Sequence, residues 1–158
     1  MGEIHIGREP LAAARAGAES VERLLLRHWE EIAHFRDIPL DVDWPVYEAA
    51  ERAGKLRIFT VRDDRELVGY AVYTFGPAPH YKGSLQAIQD VLFLAPEYRR
   101  GTAGIELVAY ADTMLKAEGA QVTYQHSKVR NPIDMILRRQ RYQLVERIFA
   151  KRHDQERD

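Results

Sequence analysis

The spacing of hydrophobic positions changes several times along this chain, and each spacing predicts a different element. From Glu19 to Phe35, apolar residues recur every three or four positions, which is typical of an amphipathic helix that packs on a sheet, with Ser20 as its N-cap. After a loop, Pro45 opens a short helix that Gly54 ends.

A strand-rich region follows these helices. Leu56–Arg62 and Glu66–Phe75 are rich in β-branched and aromatic residues and are separated by Asp63-Asp64, which predicts a β-hairpin. The Gly- and Pro-rich stretch Gly76–Gly83 predicts a long loop. This loop leads into a buried strand that carries Asp90.

The last third of the chain alternates helices and strands. Apolar residues from Leu107 to Leu115 predict a helix that ends at Gly119, followed by a strand at 121–126, a helix at 132–140 and a final strand at Leu144–Ala150. The whole pattern predicts an α/β (α+β) fold, with a central mixed, mostly antiparallel twisted sheet and helices on both faces. Residues 1–158 are expected to form a single domain.

The segment Gln89–Leu107 combines a buried strand, a basic glycine-containing turn and the start of a helix. This order predicts a phosphate-binding turn, because unpaired N–H groups at a helix N-terminus attract anions and Arg99 and Arg100 add positive charge. It is not a P-loop, because no Gly-Lys-Thr or Gly-Lys-Ser follows. It also lacks the first glycine and the later acidic residue of a dinucleotide-binding fingerprint.

The turn resembles the signature of the GNAT superfamily of acetyl-CoA-dependent N-acetyltransferases. That signature is Gln or Arg, two residues, Gly, one residue, then Gly or Ala, between a strand and a helix. One alignment puts Arg99 first and Gly104 last, with Thr102 where glycine is usual. The alternative alignment matches Gly101 but puts Tyr98 first.

The flanking sequence extends this resemblance from about Arg57 to the C-terminus. Asp90–Pro96 is similar to the superfamily's strand before the turn, and Asn131 is similar to its pantetheine-contacting asparagine, although before Pro132 it is also suited to cap a helix. His80-Tyr81 and the segment Ile38–Trp44 are similar to members found in phages and prophages.

The resemblance implies acetyl-CoA as cosubstrate and no metal. If the strand splays after Leu92, the free N–H of Leu92 would polarise the thioester carbonyl while Leu94 binds the pantetheine amides. The residues expected to bind the cofactor are Leu92, Phe93, Leu94, Arg99, Arg100, Gly101, Thr102, Ala103, Gly104, Ile105 and Asn131.

The expected chemistry is direct attack of a primary amine on the acetyl group. A lysine-like amine is neutral in only roughly one molecule in two thousand at pH 7, so a base would help, and Asp90 and His80 are the candidates. The tyrosine that often serves this superfamily as general acid is absent between Asn131 and Gln140. Water, Tyr124 or Tyr142 would then supply the proton, or the protein does not catalyse.

The acceptor is expected to be a small-molecule amine or a protein amine. Trp44 lies in an acidic segment with Asp41 and Asp43 and is suited to a cationic amine such as a polyamine, an aminoglycoside or lysine. Tyr81 and Tyr124 are the other expected substrate-binding residues.

Composition restricts the other classes of function. The chain has 158 residues and no cysteine, which excludes disulfides, thiolate metal sites and a cysteine nucleophile. With 23 basic against 24 acidic side chains, nucleic acid is not an expected partner. The sequence has no membrane-length apolar run, so a cytoplasmic protein is expected, and the apolar pair Ile148-Phe149 suggests a homodimer.

Two functions remain from the sequence. The first is an N-acetyltransferase that uses acetyl-CoA and a primary amine. The alternative is a catalytically weak or inactive acyl-CoA-binding or partner-binding protein with the same fold, which the missing tyrosine favours.

Overall fold

The computed structural model of the protein describes residues 2–17 and 21–155. Strands and helices alternate irregularly along the described chain, and a 3-10 turn at Pro96–Tyr98 precedes the fourth helix. In chain order the elements are β1 (Ile4–Arg8), α1 (Leu11–Ala14), α2 (Val21–Ile32), α3 (Trp44–Arg52), β2 (Leu56–Asp63), β3 (Glu66–Ala78), β4 (Tyr81–Leu94), α4 (Ala103–Ala117), β5 (Val122–Tyr124) and α5 (Asp134–Arg139).

The five strands form one mixed sheet in the order β1-β2-β3-β4-β5. The pairs from β1 to β4 are antiparallel, and only β4 and β5 are parallel. This confirms the predicted α/β fold with a mostly antiparallel sheet. The edge strand β1 was not predicted, although the alternation Ile4-His5-Ile6 is a strand pattern.

Each face of the sheet has its own hydrophobic core. On one face, Leu24 and His28 of α2 pack against the sheet side chains Tyr70 and Phe93. On the other face, α4 packs its buried side chains Leu107, Val108, Ala111 and Leu115. Adjacent residues of β4 therefore belong to different cores, because successive side chains of a strand point to opposite faces.

The predicted early helices are present with shifted limits. The helix expected from Glu19 corresponds to α2, whereas the predicted cap Ser20 lies outside the described residues. The helix α3 begins at Trp44, and Asp43 caps it by accepting a hydrogen bond from Val46 N at 3.3 Å. Gly54 ends it with a φ of 72°, as a glycine after a helix commonly does.

The predicted loop Gly76–Gly83 is wrong. Its residues form the outer part of the β3–β4 hairpin, which is closed by a turn at Pro79-His80. Pro77 is tolerated there because β2 pairs with β3 only as far as Thr74, so β3 has no second neighbour at Pro77 that needs its N–H. The hairpin therefore extends beyond the sheet as a two-stranded ribbon.

The predicted strand Leu144–Ala150 is also wrong. No helix or strand forms there, and no backbone hydrogen bond joins residues 143–151 to another described residue. Apolar, β-branched composition favours a strand, but a strand forms only when a neighbouring strand supplies its hydrogen bonds. Among the described helices, none combines the length and apolar character that crossing a membrane requires.

Candidate functional site

A β-bulge at Asp90 marks the centre of the candidate site. Val91 pairs with Val72 and Gln89 pairs with Tyr73, so Asp90 is an extra residue in β4 with no counterpart in β3. A bulge bends its strand, and bulges are common next to active sites because they redirect a side chain.

The pairing of β4 with β5 stops just before this bulge. Strand β5 pairs with Gln86, Ala87 and Ile88 only, so β4 beyond Ile88 has no strand partner on that side among the described residues. The buried side chain of Gln89 occupies the start of the gap and accepts a hydrogen bond from His126 N at 2.9 Å. The expected contacts of Leu92 and Leu94 assumed that the strand splays after Leu92; in the structure the pairing of β4 with β5 ends earlier, at Ile88.

The alternation of the strand decides which backbone groups face this gap. Ala95 N donates to Val68 O of β3 at 2.8 Å, so Ala95 and Phe93 direct their backbone groups toward β3. Leu92 and Leu94 consequently face the gap. Phe93, an expected cofactor residue, instead stacks on His28 at a ring distance of 4.8 Å inside the core, and neither its backbone nor its side chain faces the gap.

The predicted phosphate-binding turn leads from the end of β4 into α4. Thr102 occupies the N-cap position, and no side chain caps the helix, so the amides of Ala103, Gly104 and Ile105 have no partner within α4. A methyl group added at Gly104 would approach Leu94 Cδ2 at 3.6 Å, an ordinary contact, and at Gly101 it would meet no atom within 4 Å. The fold thus leaves open space above Gly101, whereas Gly104 faces the side chains of Leu94 and Ile136 at packing distance.

The two arginines of the turn differ in their contacts. Arg99 donates from Nε to Leu94 O at 2.7 Å and forms a two-pronged ion pair with Glu31 of α2, with both N–O distances 2.8 Å. Arg100 is exposed and has no hydrogen bond or ion pair with another described residue. Arg99 therefore fixes the turn to α2, and Arg100 keeps its charge available for an anion.

Asn131 does not cap the following helix, although its place before Pro132 favoured that role. The N-cap of α5 is Ile133, and the Asn131 side chain donates to Glu31 instead. Glu31 thus joins Asn131 and Arg99, two expected cofactor residues from separate parts of the chain.

Asp90 lies on the face of the sheet that α3 covers. Its carboxylate accepts a hydrogen bond of 2.5 Å from the hydroxyl of Tyr47, a residue of α3. Burial, followed by this hydrogen bond, raises the pKa of Tyr47 well above its ordinary range, so the proton stays on the tyrosine. Asp90 is exposed and can also accept a proton from solvent or a ligand.

His80 and Tyr81 do not join this site. His80 is in the turn of the β3–β4 ribbon, and Tyr81, 65% exposed, begins β4. Tyr81 and Asp90 are nine positions apart on one strand, which corresponds to roughly 25–30 Å. A histidine at that distance cannot take a proton from an amine beside Asp90 of the same chain.

The ring of Trp44 already has a cationic neighbour. The guanidinium of Arg15 lies 3.9 Å from the ring centroid, and Arg15 also forms ion pairs with Glu22 and Glu48. Arg15 therefore occupies this face of the Trp44 ring, and the expectation that a cationic substrate binds there is not met. The geometry still demonstrates that the ring suits a planar cation.

The two tyrosines named as proton donors are in different situations. The Tyr142 hydroxyl donates to Asp112 at 2.5 Å and accepts from Gln125 at 3.3 Å. Burial, followed by the hydrogen bond to Asp112, raises the pKa of Tyr142 well above its ordinary range. Tyr124 is half-buried at the end of β5, opposite Ile88, where the gap begins. Its hydroxyl has no hydrogen bond with another described residue, so Tyr124 is the better placed of the two.

Sequence reasoning missed three residues of this region: Gln89, Glu31 and Tyr47. In the sequence, Gln89 is one more position of a predicted strand, and Glu31 is a polar position of a predicted helix. Tyr47 belongs to a cluster of aromatic residues in the N-terminal third, and nothing in the sequence links it to Asp90. None of them carries a motif, because their roles depend on residues 37 to 100 positions away.

Comparison with known proteins identifies the family model that fits this chain. The model of the Acetyltransferase (GNAT) family matches residues 19–134, which include β4, the turn and α4. No curated protein matches the sequence significantly.

Solved structures of acetyltransferases have the same fold. A ribosomal-protein-alanine N-acetyltransferase from Brucella melitensis biovar Abortus 2308 superposes with a TM-score of 0.73 at 16% identity, covering 97% of this chain and 99% of that chain. An aminoglycoside acetyltransferase from an uncultured soil metagenomic sample, solved with sisomicin, gives 0.72 at 13% identity and 97% coverage of both chains.

A third similar structure contains a cofactor analogue. It is AAC(6')-Iy in complex with the bisubstrate analogue CoA-S-monomethyl-acetylneamine, with a TM-score of 0.63 at 16% identity, covering 96% of this chain and 99% of that chain. At these identities the similarity establishes the fold alone.

Proposed function

Because this chain belongs to the GNAT family of acetyltransferases, we propose that it transfers the acetyl group of acetyl-CoA directly to a primary amine, as a single domain. The observation that carries this proposal is the gap between β4 and β5, which begins after Ile88 and contains the Asp90 bulge. In the reaction the amine nitrogen bonds to the acetyl carbon and loses a proton. The carbon–sulfur bond breaks, and the departing thiolate of CoA takes up a proton.

Acetyl-CoA would bind along the gap and the turn. The amides of Ala103, Gly104 and Ile105 would bind the diphosphate, with added charge from Arg100. Leu92 N–H would donate to the thioester carbonyl. The open space over Gly101 supports this assignment, since a ligand can approach the backbone there.

Asp90 would accept the proton of the amine, directly or through a water molecule. Its exposed carboxylate is beside the gap, and the hydrogen bond from Tyr47 holds it in place. The bulge turns this side chain toward the α3 face, opposite the face that α4 covers. The amine would therefore approach from the α3 side.

Tyr124 would donate the proton to the departing thiolate. Its hydroxyl is free of the hydrogen bonds that hold Tyr142, and β5 places it at the start of the gap. A thiol is a tolerable leaving group because its ordinary pKa is about 8.5, so loss of this donor would slow the reaction without stopping it.

The acceptor would be a cationic amine, such as a polyamine, an aminoglycoside or a lysine side chain. The carboxylate of Asp90, which the hydroxyl of Tyr47 of α3 contacts, would attract such a cation on the side from which the amine would approach. Two of the similar structures concern aminoglycoside acetylation, which makes aminoglycosides a reasonable first panel of substrates.

The alternative function is binding of acetyl-CoA without turnover. The absence of a tyrosine between Asn131 and Gln140, together with the engagement of Tyr142 by Asp112, favours it. Binding and turnover measured on the same preparation separate the two functions.

The proposal is tested by calorimetry and by an acetylation assay. Acetyl-CoA at one hundred times its dissociation constant should stabilise the protein by about 2.7 kcal/mol, a rise in melting temperature of roughly 5–10 °C. Gly104→Glu should abolish binding by bulk and repulsion. Gly104→Ala is the matched control and should keep the fold, because its methyl group finds ordinary contacts.

Three results are informative. Binding with turnover of an amine supports the enzyme, and binding without turnover across polyamines, aminoglycosides and lysine peptides supports the alternative. Unchanged binding by Gly104→Glu would show that the phosphate site is elsewhere.

A further inference from the structure

The Asp90 carboxylate has one hydrogen-bond partner among the described residues, the hydroxyl of Tyr47. That hydroxyl donates to the oxygen Oδ2 over 2.5 Å. The second oxygen, Oδ1, has no hydrogen bond or ion pair with a described residue, and the side chain is exposed. An exposed side chain is otherwise free to change between its staggered rotamers, so the hydrogen bond from Tyr47 is what restricts the direction of this carboxylate.

Tyr47 is itself fixed on the α3 face of the sheet. Its half-buried ring packs against the core on this face and lies 6.0 Å from the ring of Trp44. Helix α1 holds both ends of α3, because the Arg15 guanidinium covers the Trp44 ring and Leu11 N donates to Glu51 Oε1 at 2.8 Å. The hydroxyl of Tyr47 therefore has a defined position beside Asp90.

Tyr47 can remain the donor while Asp90 gains a proton. Burial, followed by the hydrogen bond to Asp90, raises the pKa of Tyr47 well above its ordinary range, so the phenol keeps its proton. A carboxyl group protonated on Oδ1 retains a carbonyl oxygen at Oδ2, and that oxygen still accepts from the phenol. Protonation of Oδ1 therefore does not break the Tyr47 contact.

We propose that Tyr47 is a positioning residue of the acetyl transfer, which holds Asp90 in one rotamer through Oδ2 and leaves Oδ1 to take the proton of the amine. This inference rests on the proposed function, because it requires Asp90 to be the base. As the amine nitrogen bonds to the acetyl carbon, its proton passes to Oδ1. Asp90 then releases that proton to solvent.

A structural role and a positioning role for Tyr47 have different kinetic consequences. If the hydroxyl only fastened α3 to the sheet, its loss would lower the stability and leave the chemical step unchanged. If it positions the base, Tyr47→Phe should lower kcat about three- to tenfold, because Asp90 would then spend most of its time in unproductive rotamers. The dissociation constant of acetyl-CoA should not change, since Tyr47 lies on the face opposite α4.

A matched control removes a different hydroxyl from the same face. Tyr70 shares a 2.9 Å hydrogen bond with His28 in the core beneath α2. Tyr70→Phe makes the same chemical change as Tyr47→Phe and should lower the melting temperature, but it should leave kcat within about twofold of the wild type. A fall in kcat of the same size in both variants would overturn the positioning role.

A double-mutant cycle shows whether Tyr47 acts through Asp90. Residues that act through one contact have non-additive effects, so Asp90→Asn/Tyr47→Phe should have the kcat of Asp90→Asn within about twofold. A further three- to tenfold fall in the double variant would mean that Tyr47 acts independently of Asp90 and would overturn the inference.

A second measurement does not depend on turnover. Three-bond NMR couplings of the Asp90 β-protons should show one χ1 rotamer in the wild type and in Tyr70→Phe, and averaged rotamers in Tyr47→Phe. Averaging in the wild type, or one unchanged rotamer in Tyr47→Phe, overturns the inference.

The failure of this inference is distinguishable from the failure of the proposed function. A wild type that acetylates no amine, or an Asp90→Asn variant with unchanged kcat, contradicts the proposed function. In a chain without turnover, the NMR couplings still decide whether Tyr47 holds Asp90. A large loss of kcat in Asp90→Asn beside an unchanged kcat in Tyr47→Phe overturns the positioning role alone.

Discussion

His28 is a buried histidine that the fold keeps neutral. It is 6% exposed, stacks on Phe93 and shares a 2.9 Å hydrogen bond with the Tyr70 hydroxyl. Burial lowers its pKa from 6.5 to about 4, a shift that the nearby carboxylate of Glu31 only partly opposes. The unfolded chain therefore binds a proton at this residue over a pH range in which the folded protein does not.

This difference predicts a loss of stability in mild acid. His28 contributes stability above pH 6.5, and that contribution falls as the pH decreases toward 4, by about 2–3 kcal/mol at pH 4.5. Urea unfolding of the wild type at pH 7.5 and 4.5 should show this loss. His28→Gln keeps an amide for Tyr70 but does not titrate, so it should lose much less stability between the two pH values.

Other groups also lose stabilisation near pH 4.5, so the comparison of the two proteins is what isolates His28. The carboxylates whose pKa is lowered by arginine partners lose stabilisation as the pH falls toward their unfolded values of 4.5 and 3.8, equally in both proteins: Glu9, Asp37, Glu97, Glu118 and Asp154. Equal losses in the wild type and the glutamine variant would assign the pH dependence to other groups.

Glu31 is expected to stabilise the predicted phosphate-binding turn between β4 and α4. Glu31→Ala leaves Arg99 and Asn131 without their shared acceptor, and because the Arg99–Glu31 pair is one-quarter to one-third exposed, we expect a cost of about 1–2 kcal/mol. Glu30→Ala, an exposed neighbour on α2, is the matched control and should change stability by less than about 0.5 kcal/mol. Equal effects in urea unfolding would contradict a specific role for Glu31.

At the scale of elements, the N-terminus of α4 combines attraction and repulsion for an anion. The free amides and the helix dipole attract phosphate, while Glu106, in the first turn, accepts a hydrogen bond from Thr102 Oγ1 at 2.6 Å and carries a negative charge. A carboxylate at this position stabilises the helix and repels the same ligand that the helix would bind.

Removing this charge should strengthen cofactor binding. Glu106→Gln should lower the dissociation constant of acetyl-CoA by about three- to tenfold at low ionic strength, and the gain should shrink as salt screens the interaction. Its helix should become less stable by about 0.3–1 kcal/mol. Titration calorimetry at two salt concentrations measures the change in acetyl-CoA affinity, and Glu30→Gln is the control. If Glu106→Gln does not bind acetyl-CoA more tightly at either salt concentration, the phosphates lie away from Glu106.

At the scale of the whole molecule, the long β3–β4 hairpin separates residues that the sequence placed together. His80 and Asp90 both precede the predicted phosphate-binding turn in the chain. His80 lies just before β4, however, and roughly 25–30 Å of that strand separates its first residue, Tyr81, from Asp90. Of these two candidates, only Asp90 lies beside the gap, which supports our proposal that Asp90 is the base.

Kinetics of the two variants test this selection. Asp90→Asn should reduce kcat by about 10²–10⁴-fold while the dissociation constant of acetyl-CoA stays unchanged, because only proton transfer is lost. His80→Ala should leave both constants unchanged. A large fall in kcat for His80→Ala would contradict the geometry, and an unaffected Asp90→Asn would remove Asp90 as the base.

Much of the fold follows from local patterns. The amphipathic spacing in α2, the buried stripe of α4 and the β2–β3 hairpin were all predicted within a few residues, because each depends on side chains close together in the sequence. The fold class and the family of the turn were predicted for the same reason, since the turn and the start of its helix are contiguous.

The failures share a physical cause. Gly76–Gly83 has loop composition, but β4 provides a partner for its backbone, so it forms a strand. Leu144–Ala150 has strand composition, but no described strand provides a partner, so none forms. Strand formation is decided by a neighbour that is distant in sequence.

The sequence by itself determined the periodicity of the helices, the strand–turn–helix order of the proposed cofactor site and the presence of Asp90 next to it. Only the tertiary structure decided that Asp90 is a bulge, that Glu31 joins Arg99 to Asn131, that Tyr124 rather than Tyr142 has a free hydroxyl, and that His80 is remote. The reason is that propensities and motifs act between near neighbours, whereas strand register, ion pairs and strand separation depend on residues that meet only after the chain has folded.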